Sequence, residues 1–102
     1  MSDALSNLDG YVKASRADFE NTLREMVEIP TISMDPTHKE DMLRGAEKAK
    51  QIVESLGGTA EIVETGGNRA VIAKFGSLPR NKTVSIYNHL DVQPANEPEW
   101  VR

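Results

Sequence analysis

Residues 37–58, THKEDMLRGAEKAKQIVESLGG, decide the fold, because they carry the best-defined helical pattern in the chain. Thr37 and Glu40 are spaced as a capping box, and the pair Gly57-Gly58 can end the helix with a left-handed cap. One face of this helix is apolar, since the residues that recur at helical spacing are Met42, Ala46, Ala49, Val53 and Leu56. The pattern predicts a helix that packs on another layer.

A second helical pattern lies upstream, at residues 15–28. Its apolar face is formed by Phe19, Leu23, Met26 and Val27. Ser15 and Asp18 are spaced as another capping box, and Pro30 ends the helix because the residue before a proline is pushed out of helical geometry. A weaker pattern can extend the helix backwards across Gly10, through Leu5, Leu8 and Val12. We expect the apolar face of this helix to be buried.

Short β-prone segments follow the glycine pair, and they predict strands at residues 59–64, 69–75 and 83–87. Residues 65–68, Thr-Gly-Gly-Asn, can join the first two strands as a hairpin, and residues 76–82 predict a second turn. Two N-terminal helices followed by three strands predict an α/β fold, with a mixed sheet flanked by helices. No element follows the third strand to cover the sheet, so the fold looks unfinished.

The composition of the chain argues against several classes of function. A chain of 102 residues suits one domain, and its 16 acidic and 12 basic residues are scattered, which argues against a nucleic-acid partner. There is no cysteine, so any metal must bind through nitrogen and oxygen. No apolar run is long enough to cross a bilayer, and the N-terminus lacks the apolar core of a signal peptide. We therefore expect a cytoplasmic protein without a membrane partner.

The third predicted strand leads into a segment that carries chemistry, residues 88–94, NHLDVQP. His89 and Asp91 are two residues apart, so in an extended chain they point to the same side. Asp91 can then accept a hydrogen bond from one imidazole nitrogen of His89 while the other nitrogen binds a metal. Taken alone, the triplet His-x-Asp is common and in most proteins is a satisfied polar pair.

The longer string NHLDVQP, followed by Glu97-Pro98-Glu99-Trp100, resembles the HxDVQP and downstream E-x-W pattern of the co-catalytic zinc metallopeptidases. That family includes dipeptidases, acetylornithine deacetylase, succinyl-diaminopimelate desuccinylase and aminoacylase. Residues 23–33, LREMVEIPTIS, and residues 63–75, VETGGNRAVIAKF, look like the matching upstream segments. The resemblance covers residues 18–100 and is closest to the dipeptidase-like branch. Asn88 departs from the glycine that many relatives carry before the histidine.

The resemblance implies that His89 is a ligand of one of two zinc ions, with cobalt or manganese as alternative metals. It implies that Asp91 is the catalytic-site residue that orients His89. Residues 1–102 would be the N-terminal part of a zinc-peptidase catalytic domain, without the remaining ligands or the lid and dimerisation domain. The whole protein would be a homodimer that hydrolyses the amide bond of dipeptides or N-acyl amino acids. The 102-residue chain alone would be inactive.

Other polar residues are expected to lie outside the site. His38 follows Thr37 at the start of a helix, where a solvated or capping role is favoured, and Glu97 and Glu99 are expected to be solvated. Trp100 is expected to pack against a larger domain. Two other functions stay open: a complete non-catalytic α/β module that binds a partner, and a deacylase of the same architecture. The sequence that follows Arg102 in the gene would decide between a module and an enzyme.

Overall fold

The computed structural model describes residues 2–76 and 82–94. In these ranges the chain forms three α-helices, one short 3₁₀ turn and two strands. The helices are α1 (Ser2–Ala14), α2 (Arg16–Val27) and α3 (Lys39–Ser55), the turn is Pro36–His38, and the strands are β1 (Thr59–Val63) and β2 (Ala70–Lys74). This combination of helices and sheet confirms the α/β class.

The packed part of the molecule is α3 with the hairpin that follows it. β1 and β2 pair antiparallel, with Thr59 opposite Lys74 and Val63 opposite Ala70, as the sequence predicts. α3 lies against both strands, and Ala46 on its inner face is only 5% exposed. The helix ends at Ser55, and Gly57, two residues later, has a φ of 87°, which is the left-handed cap that the glycine pair predicts. A two-stranded hairpin gains independent stability from such helix packing.

Both predicted capping boxes are wrong. Ser15 precedes α2, but its hydroxyl donates back to the carbonyl of Tyr11, at 2.7 Å, instead of capping the new helix. At the start of α3, the residue in the cap position is His38, and it makes no capping hydrogen bond through its side chain. Thr37 instead donates its amide and its hydroxyl to Asp35 Oδ1, at 2.9 and 2.7 Å. Thr37 therefore binds the carboxylate of Asp35, two residues earlier, instead of capping α3.

Residues 2–14 and 16–27 are helical, and α1 runs through Gly10 without a break. They form two helices separated at Ser15 rather than one extended helix, so three helices precede the hairpin where two were predicted. The expected burial of the α2 face is wrong, because Phe19, Leu23 and Val27 are all more than half exposed. α2 is tied to α3 by an ion pair in which Lys48 Nζ lies 2.6 Å from Glu25 Oε2. None of the helices found within the two described ranges is long and apolar enough to span a lipid bilayer.

The predicted third strand is also wrong. Residues 82–90 carry no strand, and Val84, Ile86 and Tyr87 are 82%, 82% and 90% exposed. A strand needs a neighbour for its backbone groups, and among the described residues neither β1 nor β2 pairs with this segment. The sheet of the described chain is therefore two-stranded and antiparallel rather than mixed. The second predicted turn falls mostly on residues 77–81, which lie outside the described residues.

Candidate metal-ligand site

The segment that contains His89 and Asp91 is held by the connection between α2 and α3. Residues 31–33 and 90–92 run parallel, with a single bridge between Ile32 and Val92. The amide of Val92 donates to the carbonyl of Thr31 at 2.9 Å, and the hydroxyl of Thr31 donates to the carbonyl of Leu90 at 2.9 Å. Thr31 is 5% exposed, so these two bonds are largely shielded from water. They fix the register of the two segments.

Thr31 in turn sits on α3, at Gly45. A Cβ atom built on Gly45 would lie 2.5 Å from Cγ2 of Thr31, which is closer than two carbon atoms can approach. Gly45 is itself buried. The absence of a side chain at this position therefore lets the connection lie directly on the helix. A chain of contacts runs from α3 through Thr31 to the backbone that carries the site.

His89 is oriented by its own segment. Its Nδ1 lies 3.0 Å from the backbone carbonyl of Asp91 and 3.4 Å from Asp91 Oδ1. A carbonyl only accepts, so the hydrogen bond assigns the proton to Nδ1 and leaves Nε2 of the neutral ring as the free acceptor. The His89 side chain is 75% exposed, which keeps Nε2 accessible. The predicted pairing exists, but its nearer acceptor is the backbone carbonyl rather than the carboxylate.

Asp91 is anchored by a residue that lies far away in the sequence. Ser33 Oγ donates to Asp91 Oδ2 at 2.7 Å, and the two residues are 58 positions apart. This hydroxyl lowers the pKa of the Asp91 carboxyl below its ordinary value; the backbone amide and His89 act in the same direction, and partial burial opposes them. The carboxylate is therefore ionised at neutral pH and can only accept hydrogen bonds.

A zinc ion could take His89 Nε2 as one ligand, because the nitrogen is free, exposed and held in one orientation. A structural zinc site has four ligands and a catalytic one commonly has three from the protein. Within residues 2–76 and 82–94 there is no group of three or more histidine, cysteine, aspartate or glutamate residues that could hold a metal. The described residues therefore fit one position of a metal centre and not a whole centre.

The side-chain contacts of His38 are with Asp35 and Asp41. His38 is at the start of α3, where its Nδ1 lies 2.8 Å from Asp41 Oδ2, and this hydrogen bond lowers the pKa of the Asp41 carboxyl. The predictions made for Glu97, Glu99 and Trp100 fall outside the described residues.

The sequence analysis missed Thr31, Ser33 and Gly45, which support the site. Thr31 and Ser33 lie between the two predicted helices, outside every element that the sequence predicts. One sequence feature did indicate that these two residues matter: both belong to the string LREMVEIPTIS, which resembles an upstream segment of the metallopeptidases. Nothing in the local pattern shows which distant residue either hydroxyl binds.

Comparison with known proteins finds relatives over nearly the whole chain. It is 30% identical over 111 residues to a Cys-Gly metallodipeptidase of Schizosaccharomyces pombe, a match that covers 98% of the chain and 23% of the relative. It is 27% identical over 114 residues to a beta-Ala-His dipeptidase of Rattus norvegicus, with the same coverage. The Homo sapiens beta-Ala-His dipeptidase is 29% identical over 105 residues, 89% of the chain and 21% of that protein.

The chain thus spans about a quarter of the length of the curated relatives it matches, and the matched region is their N-terminal part. No family model matches the chain.

Proposed function

The chain belongs to the dipeptidase-like metallopeptidase family, and we propose that residues 1–102 form the N-terminal part of the catalytic domain of a metal-dependent hydrolase. The whole protein would cleave the amide bond of dipeptides or N-acyl amino acids. Its remaining metal ligands and its lid and dimerisation domain would lie outside these residues. The proposal is supported by relatives that are dipeptidases and that match this chain along its length.

We assign His89 as a ligand of one of two zinc ions and Asp91 as the residue that orients it. The observation that carries this assignment is the placement of His89 Nδ1 between two acceptors of Asp91, the backbone carbonyl at 3.0 Å and Oδ1 at 3.4 Å, which leaves Nε2 free. Histidine ligands ordinarily donate their second ring nitrogen to a carbonyl or a carboxylate in this way. Zinc, when bound, polarises the scissile carbonyl and lowers the pKa of a bound water. Cobalt or manganese would serve as alternative metals.

Residues 2–76 and 82–94 supply one ligand and its support, and one nitrogen cannot hold a pair of metal ions. The general base, a glutamate in the proposed mechanism, would lie outside residues 1–102. The 102-residue chain alone is therefore expected to be inactive. The cytoplasmic location and the homodimer of the whole protein stay predictions from the sequence.

The experiment that tests this function uses the full-length protein. His89→Ala should lower the bound zinc measured by elemental analysis and abolish hydrolysis. Asp91→Asn should keep more metal than His89→Ala but lose about 10- to 100-fold in turnover or metal affinity, since it replaces the charged acceptor beside His89 Nδ1 with a neutral amide and leaves only the backbone carbonyl unchanged. The matched control is His38→Ala, which changes the other histidine of the chain and should leave zinc content and turnover unchanged.

Unchanged zinc and turnover in His89→Ala would refute the metal role. The substrate class is tested on the unmodified protein, by comparing hydrolysis of dipeptides and of N-acyl amino acids with and without a chelator. Faster cleavage of N-acyl amino acids would make the protein a deacylase rather than a dipeptidase. If no metal-dependent amide hydrolysis is found, the hypothesis that remains is the non-catalytic module that binds a partner.

A further inference from the structure

Ser33 binds the carboxylate of Asp91 although it belongs to a different part of the chain. We propose that Ser33 is a positioning residue of the metal site, which fixes the Asp91 side chain so that His89 keeps one orientation. The inference rests on the proposed function, because it requires that His89 binds a metal. It adds a residue that lies outside the NHLDVQP string and touches neither metal nor substrate.

The two oxygens of Asp91 are divided between two partners. Oδ2 accepts from Ser33 Oγ at 2.7 Å, and Oδ1 faces His89 Nδ1 at 3.4 Å. A serine hydroxyl has one hydrogen to donate, and an ionised carboxylate can only accept, so the direction of the bond is fixed. With Oδ2 held, Oδ1 stays on the side of the histidine. Rotation of the carboxylate away from His89 would break the bond to Ser33.

Water would otherwise compete for this carboxylate, because the Asp91 side chain is 44% exposed. In Ser33→Ala, the side chain of Asp91 would be free to adopt other rotamers, each solvated. His89 would keep the backbone carbonyl of Asp91 as an acceptor, but it would lose the second acceptor beside it. We therefore expect a weaker metal site rather than a destroyed one.

The backbone places Ser33 where this bond can form. Thr31, two residues earlier, is fixed to Leu90 and Val92 by two hydrogen bonds, and Ile32 forms the parallel bridge. The register of these contacts brings Ser33 beside Asp91. The hydroxyl of Ser33 is therefore not needed to join the two segments, since Thr31 already does so. Its remaining role is to hold the carboxylate.

The test measures zinc retention by the full-length protein during titration with a chromophoric chelator, together with turnover. Ser33→Ala should bind zinc about 3- to 10-fold more weakly, which is less than the about 10- to 100-fold loss expected when Asp91 itself is changed. Ser33→Thr keeps the hydroxyl and should restore affinity to within about twofold, since the donor is the same group. Ser33→Gly, which also removes the hydroxyl and adds no metal ligand, takes the place of Ser33→Ala if that variant does not fold.

A matched control is Thr37→Ala. Thr37 also donates a hydroxyl to an aspartate, Asp35 Oδ1 at 2.7 Å, and it lies in the same connection but away from His89. Its loss should leave zinc affinity unchanged. A double-mutant cycle then separates positioning from general stability: in an Asp91→Ala background, Ser33→Ala should have no further effect on zinc affinity, because the partner through which it acts is gone.

Two results would overturn the inference while leaving the proposed function in place. The first is wild-type zinc affinity in Ser33→Ala, or in Ser33→Gly if that replaces it, when His89→Ala has lost zinc. The second is an equal loss of affinity on adding Ser33→Ala to the wild type and to Asp91→Ala. If His89→Ala keeps its zinc, the metal role proposed for His89 fails, and the inference about Ser33 fails with it. The zinc content of His89→Ala therefore distinguishes this outcome from the first two.

Discussion

Residues 82–88 and residues 89–92 follow one another in the chain, yet they differ in almost every contact. The first segment is fully exposed, and Val84, Ile86 and Tyr87 find no partner among the described residues. The second is held by Thr31 through two backbone contacts and by Ser33 through the Asp91 carboxylate. β propensity is higher in the first segment, so propensity does not explain the difference. The hydrogen bonds from Thr31 and Ser33 explain it.

The same contrast separates the helices. α3 packs on both strands and on Thr31, whereas the apolar face of α2 remains open and the helix is tied to α3 by the ion pair of Glu25 and Lys48. Each packed part of the molecule therefore has a specific contact with another part of the chain. The four predictions that follow test which contacts matter, starting with the contact that should matter most.

Gly45→Ala should have the largest effect. The added methyl group would lie 2.5 Å from Cγ2 of Thr31, whose hydroxyl and carbonyl are both committed to hydrogen bonds. Overpacking of this kind costs about 1–3 kcal/mol, and it works against a gain of about 1 kcal/mol from better helix propensity. We expect a net loss of up to about 2 kcal/mol in the free energy of unfolding, measured by urea denaturation.

The control is Gly10→Ala. Gly10 lies in α1, and a Cβ there would meet no atom within 4 Å, so the substitution should stabilise the chain by about 0.5–1 kcal/mol. If Gly45→Ala were stabilising by the same amount, the contact between α3 and Thr31 would not hold the site segment.

Thr31→Val should come next. It keeps the shape of the side chain but removes the donor to the Leu90 carbonyl, in a residue that is 5% exposed. The expected loss is about 1 kcal/mol in the free energy of unfolding, together with faster amide hydrogen exchange at Val92. Thr37→Val is the matched control, since Thr37 is exposed and water can replace its bond. An equal loss in both variants would contradict the special role of residue 31.

The ion pair between α2 and α3 should contribute less and should depend on pH. Lys48 holds the pKa of the Glu25 carboxyl below its ordinary value, with Asn21 and Arg24 adding to the effect. The folded pKa lies below the unfolded value of about 4.3, so the stabilisation is present above that pH and is lost as the pH falls through the folded pKa.

Melting curves of the wild type and of Glu25→Gln should therefore differ slightly at pH 7 and converge as the pH falls below the folded pKa of Glu25. High salt at neutral pH should shrink the same difference, because both side chains are only partly buried. A difference that grew on acidification would show that Glu25 is not stabilised by Lys48.

Ile86→Ser should have the smallest effect. Ile86 is 82% exposed, so the substitution removes no packed contact and should change the free energy of unfolding of this chain by no more than about 0.5 kcal/mol. Urea denaturation beside the wild type measures it. A loss as large as that of Thr31→Val would place residue 86 in a packed environment and remove the contrast between the two segments.

Local features of the fold followed from local sequence. The α3 helix, its left-handed end at Gly57, and the hairpin across residues 65–68 all depend on residues close in the chain, and all were predicted correctly. The predicted strand at 83–87 failed because a strand needs a distant partner that no local pattern reveals. The capping boxes failed because Tyr11 and Asp35 offered other acceptors nearby.

The candidate site divides in the same way. His89 and Asp91 are two residues apart, so their pairing could be foreseen from the spacing, although the nearer acceptor proved to be the backbone carbonyl. The contacts of Ser33 and Thr31 with this segment could not be foreseen. They join residues 58 and 59 positions apart, so they depend on how α3 and the hairpin fold in between. The role of His89 as a metal ligand stays a prediction.

The distance in sequence between Ser33 and Asp91 also sets when the site can assemble. Closing a loop of 58 residues costs entropy that a short hairpin does not pay, and such non-local contacts slow folding. α3 and the hairpin can form from neighbouring residues while the chain is still being synthesised. The contacts that Thr31 and Ser33 make with the site segment must wait until residue 92 has left the ribosome, so metal capture at this position would follow the folding of α3 and the hairpin.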